Sequence, residues 1–381
     1  MIIKNVFNEQ CITYSQMSMV SNARFFWRRF TIWIRVYIIS RYKGLGSPEE
    51  AFNRLYSETS GIGNFLQITY ELESSNDIAQ LLNQFTYALR DLIDAQLQGN
   101  IEAMNQSVAR LYSIAGNFAA YLFSINPYTN EAEWREMMET YIIYTMEQAN
   151  SFLAGNYSDN IESFNRLTEL TNRMGDALAY AIYDYVISGA QVIPTVGQEC
   201  ITYEQMSQIY NLRRFHFELV TWTREYMLSR YKIIGNANEV KARLSQVPVE
   251  YIDVLQQFFG KHLDNYLQIL NNYINLIDNL ITAQTEGNIN EIRKIQQLLY
   301  QNADQRAEIV TSLTPFFDQN EWRSRLYRDI PYTIEQSTTF LTGDYARNLD
   351  VFRALLDQAQ NTSAYFSRGL FNYLISQNRN E

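Results

Sequence analysis

The sequence predicts an all-α protein made of two tandem, homologous, up-and-down helical bundles. Glycine and proline, the residues that most disfavour helix interiors, number only 15 and 6 among 381 residues. The stretch CITYSQMS at residues 11–18 returns as CITYEQMS at residues 200–207. This repeat indicates a duplication with a period of about 190 residues, which is the size of a whole domain rather than of a solenoid repeat.

The similarity between the two halves continues well beyond this stretch. IWIRVYIIS resembles TWTREYMLS, LIDAQLQGNI resembles LITAQTEGNI, and FLAGNYSDN resembles FLTGDYARN. We therefore predict a first bundle over residues 1–189, a linker over residues 190–198 and a second bundle over residues 199–381. Short connections favour antiparallel neighbours, so each bundle should contain about four or five main helices.

The ends of the helices can be predicted from local signals. Thr13 and Gln16 have the spacing of a capping box, as do Thr202 and Gln205 in the second half. Pro48 suits a first helical turn, and glycines typically end helices. With these signals the helices of the first half cover approximately residues 14–43, 47–56, 77–98, 100–124, 130–155 and 158–188.

Composition excludes several classes of protein. The formal net charge of −10 argues against a nucleic-acid partner. No apolar run approaches the roughly 20 residues that a transmembrane helix needs. The start MIIKNVFNEQ lacks the apolar region of a signal peptide. We therefore predict a protein made in the cytoplasm, without a transmembrane segment.

The two cysteines, Cys11 and Cys200, occupy the same place in each half. A disulfide between them requires the two helix starts to meet. The interpretation that we favour from the sequence is that both are small, semi-buried apolar residues beside the helix caps.

No catalytic, cofactor-binding or metal-binding signature is present in the sequence. The histidines, His216 and His262, are both in the second half, and each is expected to be a partly exposed helix residue. Arg24 and Arg35 recur in the second half and predict a salt bridge or amide network, with anion binding as the alternative. We expect interiors sealed with hydrocarbon and aromatic rings, without metal or cofactor.

One stretch of the first helix is more apolar than its counterpart, which has Thr221, Thr223 and Glu225. Either this helix has a broad core face, or the other half or another chain covers it. The 28 tyrosines likewise predict either tyrosine-edged cores or an adhesive surface. The candidate interface consists of Ile32, Trp33, Ile34, Val36 and Tyr37.

Each half resembles a family of small helical proteins from spore-forming Gram-positive bacteria that automatic naming often calls "acetylglutamate kinase". The resemblance is carried by TWTREYMLS, FFGKHLDNYLQILNNYINLI, AQTEGN and YLFSINPYTNEAEW. It implies no established activity. It also implies histidines at three helix positions, which could bind a metal within a bundle. This chain has other residues there: Phe30, Phe85 and Tyr141 in the first half, and Leu219, Tyr273 and Asp329 in the second.

The sequence thus predicts a non-enzymatic structural or self-assembly protein whose main partner is itself. The resemblance adds a spore or spore-coat setting as an expectation. The alternative is a ferritin-like metal-binding or ligand-binding helical bundle, for which the architecture and the implied histidines are the support.

Overall fold

The computed structural model describes residues 11–67, 69–188, 199–235 and 237–378, and this part of the chain is almost entirely helical. The predicted all-α class is therefore confirmed. The predicted linker over residues 190–198 lies outside the described residues. The helices are α1 Tyr14–Lys43, α2 Pro48–Leu66, α3 Leu72–Gln98, α4 Ile101–Ile125, α5 Glu131–Leu153, α6 Tyr157–Ser188, α7 Tyr203–Arg230, α8 Ala237–Phe259, α9 Asp264–Thr285, α10 Ile289–Leu313, α11 Gln319–Thr342 and α12 Tyr345–Asn378.

The helices form two compact units. The first contains α1 to α6, and the second contains α7 to α12 together with residues 11–14. Each unit has six described helices rather than the four or five predicted. The difference arises because the segment after Ser47 forms a helix of 19 residues, α2, where the sequence predicted a short one.

In the first unit, helices that follow one another along the chain pack together, from α2 to α6. Helix α1 contacts several of them. Arg24 forms an ion pair with Asp176 on α6, with contacts of 2.6 and 2.8 Å, and Arg35 donates to Asn160 on the same helix at 2.8 Å. Asn160 in turn donates to the Gln148 carbonyl on α5. These contacts confirm the predicted salt bridge and amide network for Arg24 and Arg35.

In the second unit, α7 packs against α8 and α12 and also contacts α9 and α11. A polar network ties the ends of three of its helices together. Tyr231, after α7, bonds to Gln284 on α9, whose amide donates to Thr338 on α11 at 2.8 Å. The first unit has the same arrangement, in which Tyr42 bonds to Gln96 and Gln96 donates to Asn150. These bonds explain why a glutamine, Gln96 or Gln284, occurs at the same place in the similar stretches LIDAQLQGNI and LITAQTEGNI.

Many of the predicted helix ends are observed. Thr202 and Gln205 form both bonds of a capping box, and the side chain of Asn100 accepts a bond from the Ala103 backbone. Gly99 and Gly343 end α3 and α11 in the left-handed conformation, with φ of 64° and 74°. A glycine adopts this conformation without steric cost, which is why these positions predicted helix ends.

The favoured interpretation of the cysteines was wrong, because Cys11 and Cys200 form a disulfide. Their Cα atoms are 5.0 Å apart, within the range that disulfides need. The strands β1 (Ile12–Thr13) and β2 (Cys200–Ile201) pair in antiparallel fashion beside this bond. Residues 11–14 thus belong to the second unit, whereas α1 from Ser15 onward belongs to the first.

No helix in the described part of the chain is long and apolar enough to cross a membrane.

Candidate functional site

The three positions that the resemblance singled out converge inside the first unit. The ring centroids of Phe30, Phe85 and Tyr141 are 6.2 to 6.5 Å apart. The Tyr141 hydroxyl is 2.7 Å from the Thr31 hydroxyl, so its polar end has a partner. Trp27 packs against the same cluster. The interior of the first unit is therefore filled with aromatic rings, as the sequence predicted.

The second unit is different at the corresponding place. A cavity of about 30 Å³ lies between its helices and is lined by His216 on α7, Tyr273 on α9, Arg306 on α10 and Asp329 on α11. The expectation of an interior sealed with hydrocarbon and aromatic rings was therefore wrong for this unit, because the cavity has a polar lining. In the alignment of the two halves, these four residues take the places of aromatic residues in the first: Trp27, Phe85, Phe118 and Tyr141.

His216 is buried, with only 7% of its surface exposed, so the prediction of a partly exposed residue was wrong. It lies edge-on to the rings of Trp322 and Phe366. Burial, together with the positive charges of Arg306 and Arg213, lowers the pKa of His216 to about 3. The imidazole is therefore neutral at physiological pH, and its Nε2 atom is buried without a hydrogen-bond partner. By contrast His262 is exposed, but it lies between α8 and α9, so its predicted place on a helix was wrong.

Arg306 carries a buried positive charge into the cavity. Its side chain is 7% exposed, and its guanidinium lies 5.5 Å from the centre of the Tyr273 ring. An arginine cannot lose its proton inside a protein, so this charge is permanent. Its Nε–H group is buried and makes no hydrogen bond within the protein. The contact with Tyr273 and the interaction of the guanidinium with the Tyr266 hydroxyl each offset part of the cost of burial.

Asp329 is the acid of the cavity. Burial raises the pKa of this carboxyl group to about 7, although the positive charges of Arg306 and Arg328 act in the opposite direction. Its Oδ1 atom is buried without a hydrogen-bond partner. Thr333, one turn further along α11, donates to the Asp329 backbone carbonyl, so this hydroxyl does not satisfy the carboxyl group.

The arrangement therefore contains opposite charges that face one cavity without meeting. Among the ion pairs of the described residues, none joins Arg306 to Asp329. Space between buried polar groups is normally filled by water or by a ligand, because a buried polar atom without a hydrogen-bond partner costs about 1 to 3 kcal/mol. The volume of about 30 Å³ holds a few heavy atoms and excludes a sugar, a nucleotide or an amino-acid side chain of ordinary size.

The candidate interface on α1 does not need a second chain to cover it. Ile32, Trp33, Ile34, Val36 and Tyr37 are all 2% exposed or less within the single chain. Most tyrosines are half-buried, and a smaller number are fully buried. Of those in the described residues, only Tyr87 and Tyr185 are exposed, which favours tyrosine-edged cores over an adhesive surface.

Sequence reasoning missed His216 and Arg306, and noted Asp329 only as a position without histidine. A signal was present in the apolar stripes of the helices. On α10, Arg306 follows Ile295, Leu299 and Ala303 at helical spacing, so it lies on the face that is buried. A charged residue on such a stripe is a candidate for a buried site.

Comparisons of the chain with protein-family models, with curated proteins and with solved structures give no match. The resemblance to the spore-former family stays a prediction, as does the duplication. Among the described residues, no group of three or more histidine, cysteine, aspartate or glutamate side chains is placed to hold a metal ion.

Proposed function

We propose that the second unit binds a small polar ligand inside its helical bundle, and that the chain is a non-enzymatic ligand-binding protein. The observation that carries this proposal is one cavity faced by the buried guanidinium of Arg306 and the half-buried carboxyl group of Asp329, which form no ion pair and whose Nε and Oδ1 atoms are buried without a hydrogen-bond partner. A ligand between them would accept from the guanidinium and bond to the carboxyl group. It would thereby offset the cost of burying both.

The comparison between the two units supports binding rather than a packing defect. The first unit fills the corresponding space with Trp27, Phe85, Phe118 and Tyr141, which are each no more than 1% exposed. An aromatic filling of this kind is therefore compatible with the fold. In the second unit all four of these aromatic positions differ. They hold the polar residues His216, Tyr273, Arg306 and Asp329, each on a different helix, and all four line the same cavity.

A panel of small probes tests the proposal. Thermal unfolding of the full chain is measured with added chloride, formate, ammonium or formamide, which are anionic, cationic or neutral and small enough for the cavity. We expect at least one probe to raise the unfolding midpoint of the wild type and to leave Arg306→Phe unchanged, because a ligand that binds only the folded state stabilises it. Equal effects on both proteins for every probe would refute the proposal.

A structural or self-assembly role, including a spore-coat setting, remains a second proposal. The disulfide between Cys11 and Cys200 favours it, since disulfides persist in oxidising surroundings and are rare in the cytosol. The apolar residues Ile32, Ile34 and Val36 of α1 no longer support it, because they are buried within the single chain, and most tyrosines are half-buried or buried rather than exposed. Light scattering at high protein concentration tests this role, and a strict monomer would count against self-assembly.

A further inference from the structure

We propose that the ligand of this cavity is a small monovalent anion, of the size of formate or chloride, and that it binds together with one proton on Asp329. This inference rests on the proposed function and names the class of its ligand.

Positive charge dominates the surroundings of the cavity. Among its lining residues, Asp329 is the one acid and Arg306 the one permanent cation. Further arginines act on the same residues from outside the lining, namely Arg213 from α7 and Arg325 and Arg328 from α11. The charge of Arg325 is partly compensated by its ion pair with Glu321 at 2.6 Å. Helix α9 contributes Tyr273, and the residues that α12 contributes, Leu355 and Ala359, carry no charge. A cation would meet this positive potential, whereas an anion is attracted by it.

A proton on Asp329 keeps the cavity neutral when the anion enters. In the unliganded protein, the charges of Arg306 and the Asp329 carboxylate compensate each other. When an anion binds to the Arg306 guanidinium, the carboxylate takes one proton from solvent, and the sum of charges is again zero. The protonated carboxyl group then donates its O–H to the anion, which an ionised carboxylate would repel. Because the pKa of Asp329 is raised to about 7, protonation of this carboxyl group near neutral pH requires little free energy.

The other polar groups suit the same ligand. His216 is neutral, so its ring can donate one N–H without adding a titrating charge in the physiological range. The buried Nε–H of Arg306 offers a donor that no protein atom uses. The volume of about 30 Å³ accommodates a chloride ion or the three heavy atoms of formate. Larger carboxylates would require the bundle to open.

Isothermal titration calorimetry of the full chain with sodium formate, at pH 5.5 and pH 8.5, tests the inference. We expect binding at pH 5.5 to be at least about tenfold tighter, because each pH unit above the pKa of Asp329 lowers its protonated fraction tenfold. Titrations in two buffers of different ionisation enthalpy should show uptake of about one proton per anion at pH 8.5. A parallel titration with chloride tests whether a negative charge is sufficient for binding or whether a carboxylate is required.

Variants separate the roles of the two charges. In Asp329→Asn, the amide keeps a donor but cannot titrate, so formate should bind with the same affinity at both pH values. Arg306→Phe should abolish binding, and Arg347→Gln, an exposed arginine on α12, should change nothing. Circular dichroism checks that each variant is folded. If Arg306→Phe does not fold, the inference is tested by the pH dependence of formate affinity in the wild type and by its loss in Asp329→Asn.

The outcomes are distinguishable from those of the proposed function. Formate binding that is equally tight at both pH values, without proton uptake, would overturn the coupling to Asp329. Stabilisation by ammonium or formamide, but by neither anion, would overturn the anion class while leaving a ligand site in place. No response of the wild type to any of the four probes would overturn both proposals.

Discussion

Replacement of Asp329 by asparagine should make the protein more stable at high pH and leave it nearly unchanged at low pH. The side chain keeps its size, so the main change is the loss of an ionisable group in a buried place. Burial raises the pKa of Asp329 from 3.8 to about 7. The folded protein therefore binds a proton that the unfolded chain releases, and the free energy of unfolding falls as the pH rises from about 4 to about 7.

The size of the effect follows from the shift of the pKa. About three pKa units, at roughly 1.4 kcal/mol each, give an upper value of about 4 kcal/mol for the cost of the ionised carboxylate in the folded state. Because the side chain is half-buried and the surroundings relax, we expect about 2 to 4 kcal/mol at pH 8. The difference between variant and wild type should vanish near pH 4, where the carboxyl group is protonated in both folded and unfolded states.

Urea unfolding at several pH values, without chloride or formate, measures this difference directly. His216 has the opposite pH dependence, because its lowered pKa means that stability is lost as the pH falls below about 6.5. That effect is common to both proteins and cancels in the difference. Asp253→Asn, an exposed position on α8, serves as the control. A variant-minus-wild-type difference that stays flat from pH 4 to pH 8 would refute the placement of Asp329 in a buried site.

Three further predictions concern the scaffold. Gly175→Val should destabilise the first unit by about 1 to 3 kcal/mol, because a Cβ atom at this position would lie 2.5 Å from the Arg24 backbone; a thermal melt that matches the wild type would contradict this helix contact. Reduction of the disulfide, or Cys200→Ser, should lower the free energy of unfolding by about 2 to 4 kcal/mol, measured in denaturant with and without reductant; no change on reduction would count against the bond. Thr202→Ala should cost about 1 kcal/mol through loss of the capping box, whereas Thr202→Ser should retain most of the stability.

The helices could be predicted because their signals are local. The caps at Asn100 and Thr202 and the stop at Gly99 each depend on residues within one or two turns of the helix end. The spacing of apolar residues then assigns the buried face. Fold class and many helix ends therefore follow from short stretches of the sequence.

The disulfide and the cavity depend on distant parts of the chain. Cys11 and Cys200 are separated by 189 residues, and no local pattern states that their backbones meet. Arg306 and Asp329 lie on different helices, and the apolar stripe that places Arg306 on a buried face does not show that Asp329 faces the same space. Only the three-dimensional arrangement shows that His216 joins them at the cavity. Comparison with the first half was the available clue, since it has aromatic residues at all of these positions.

A high-resolution crystal structure of the protein, grown near pH 6 with sodium formate, tests the central claim most directly. We expect electron density for a small anion between the Arg306 guanidinium and the Asp329 carboxyl group. The aromatic cluster of Trp27, Phe85 and Tyr141 in the first unit should show no such density. A direct ion pair between Arg306 and Asp329 that closes the cavity, or a carboxyl group turned out to solvent, would contradict the existence of the site.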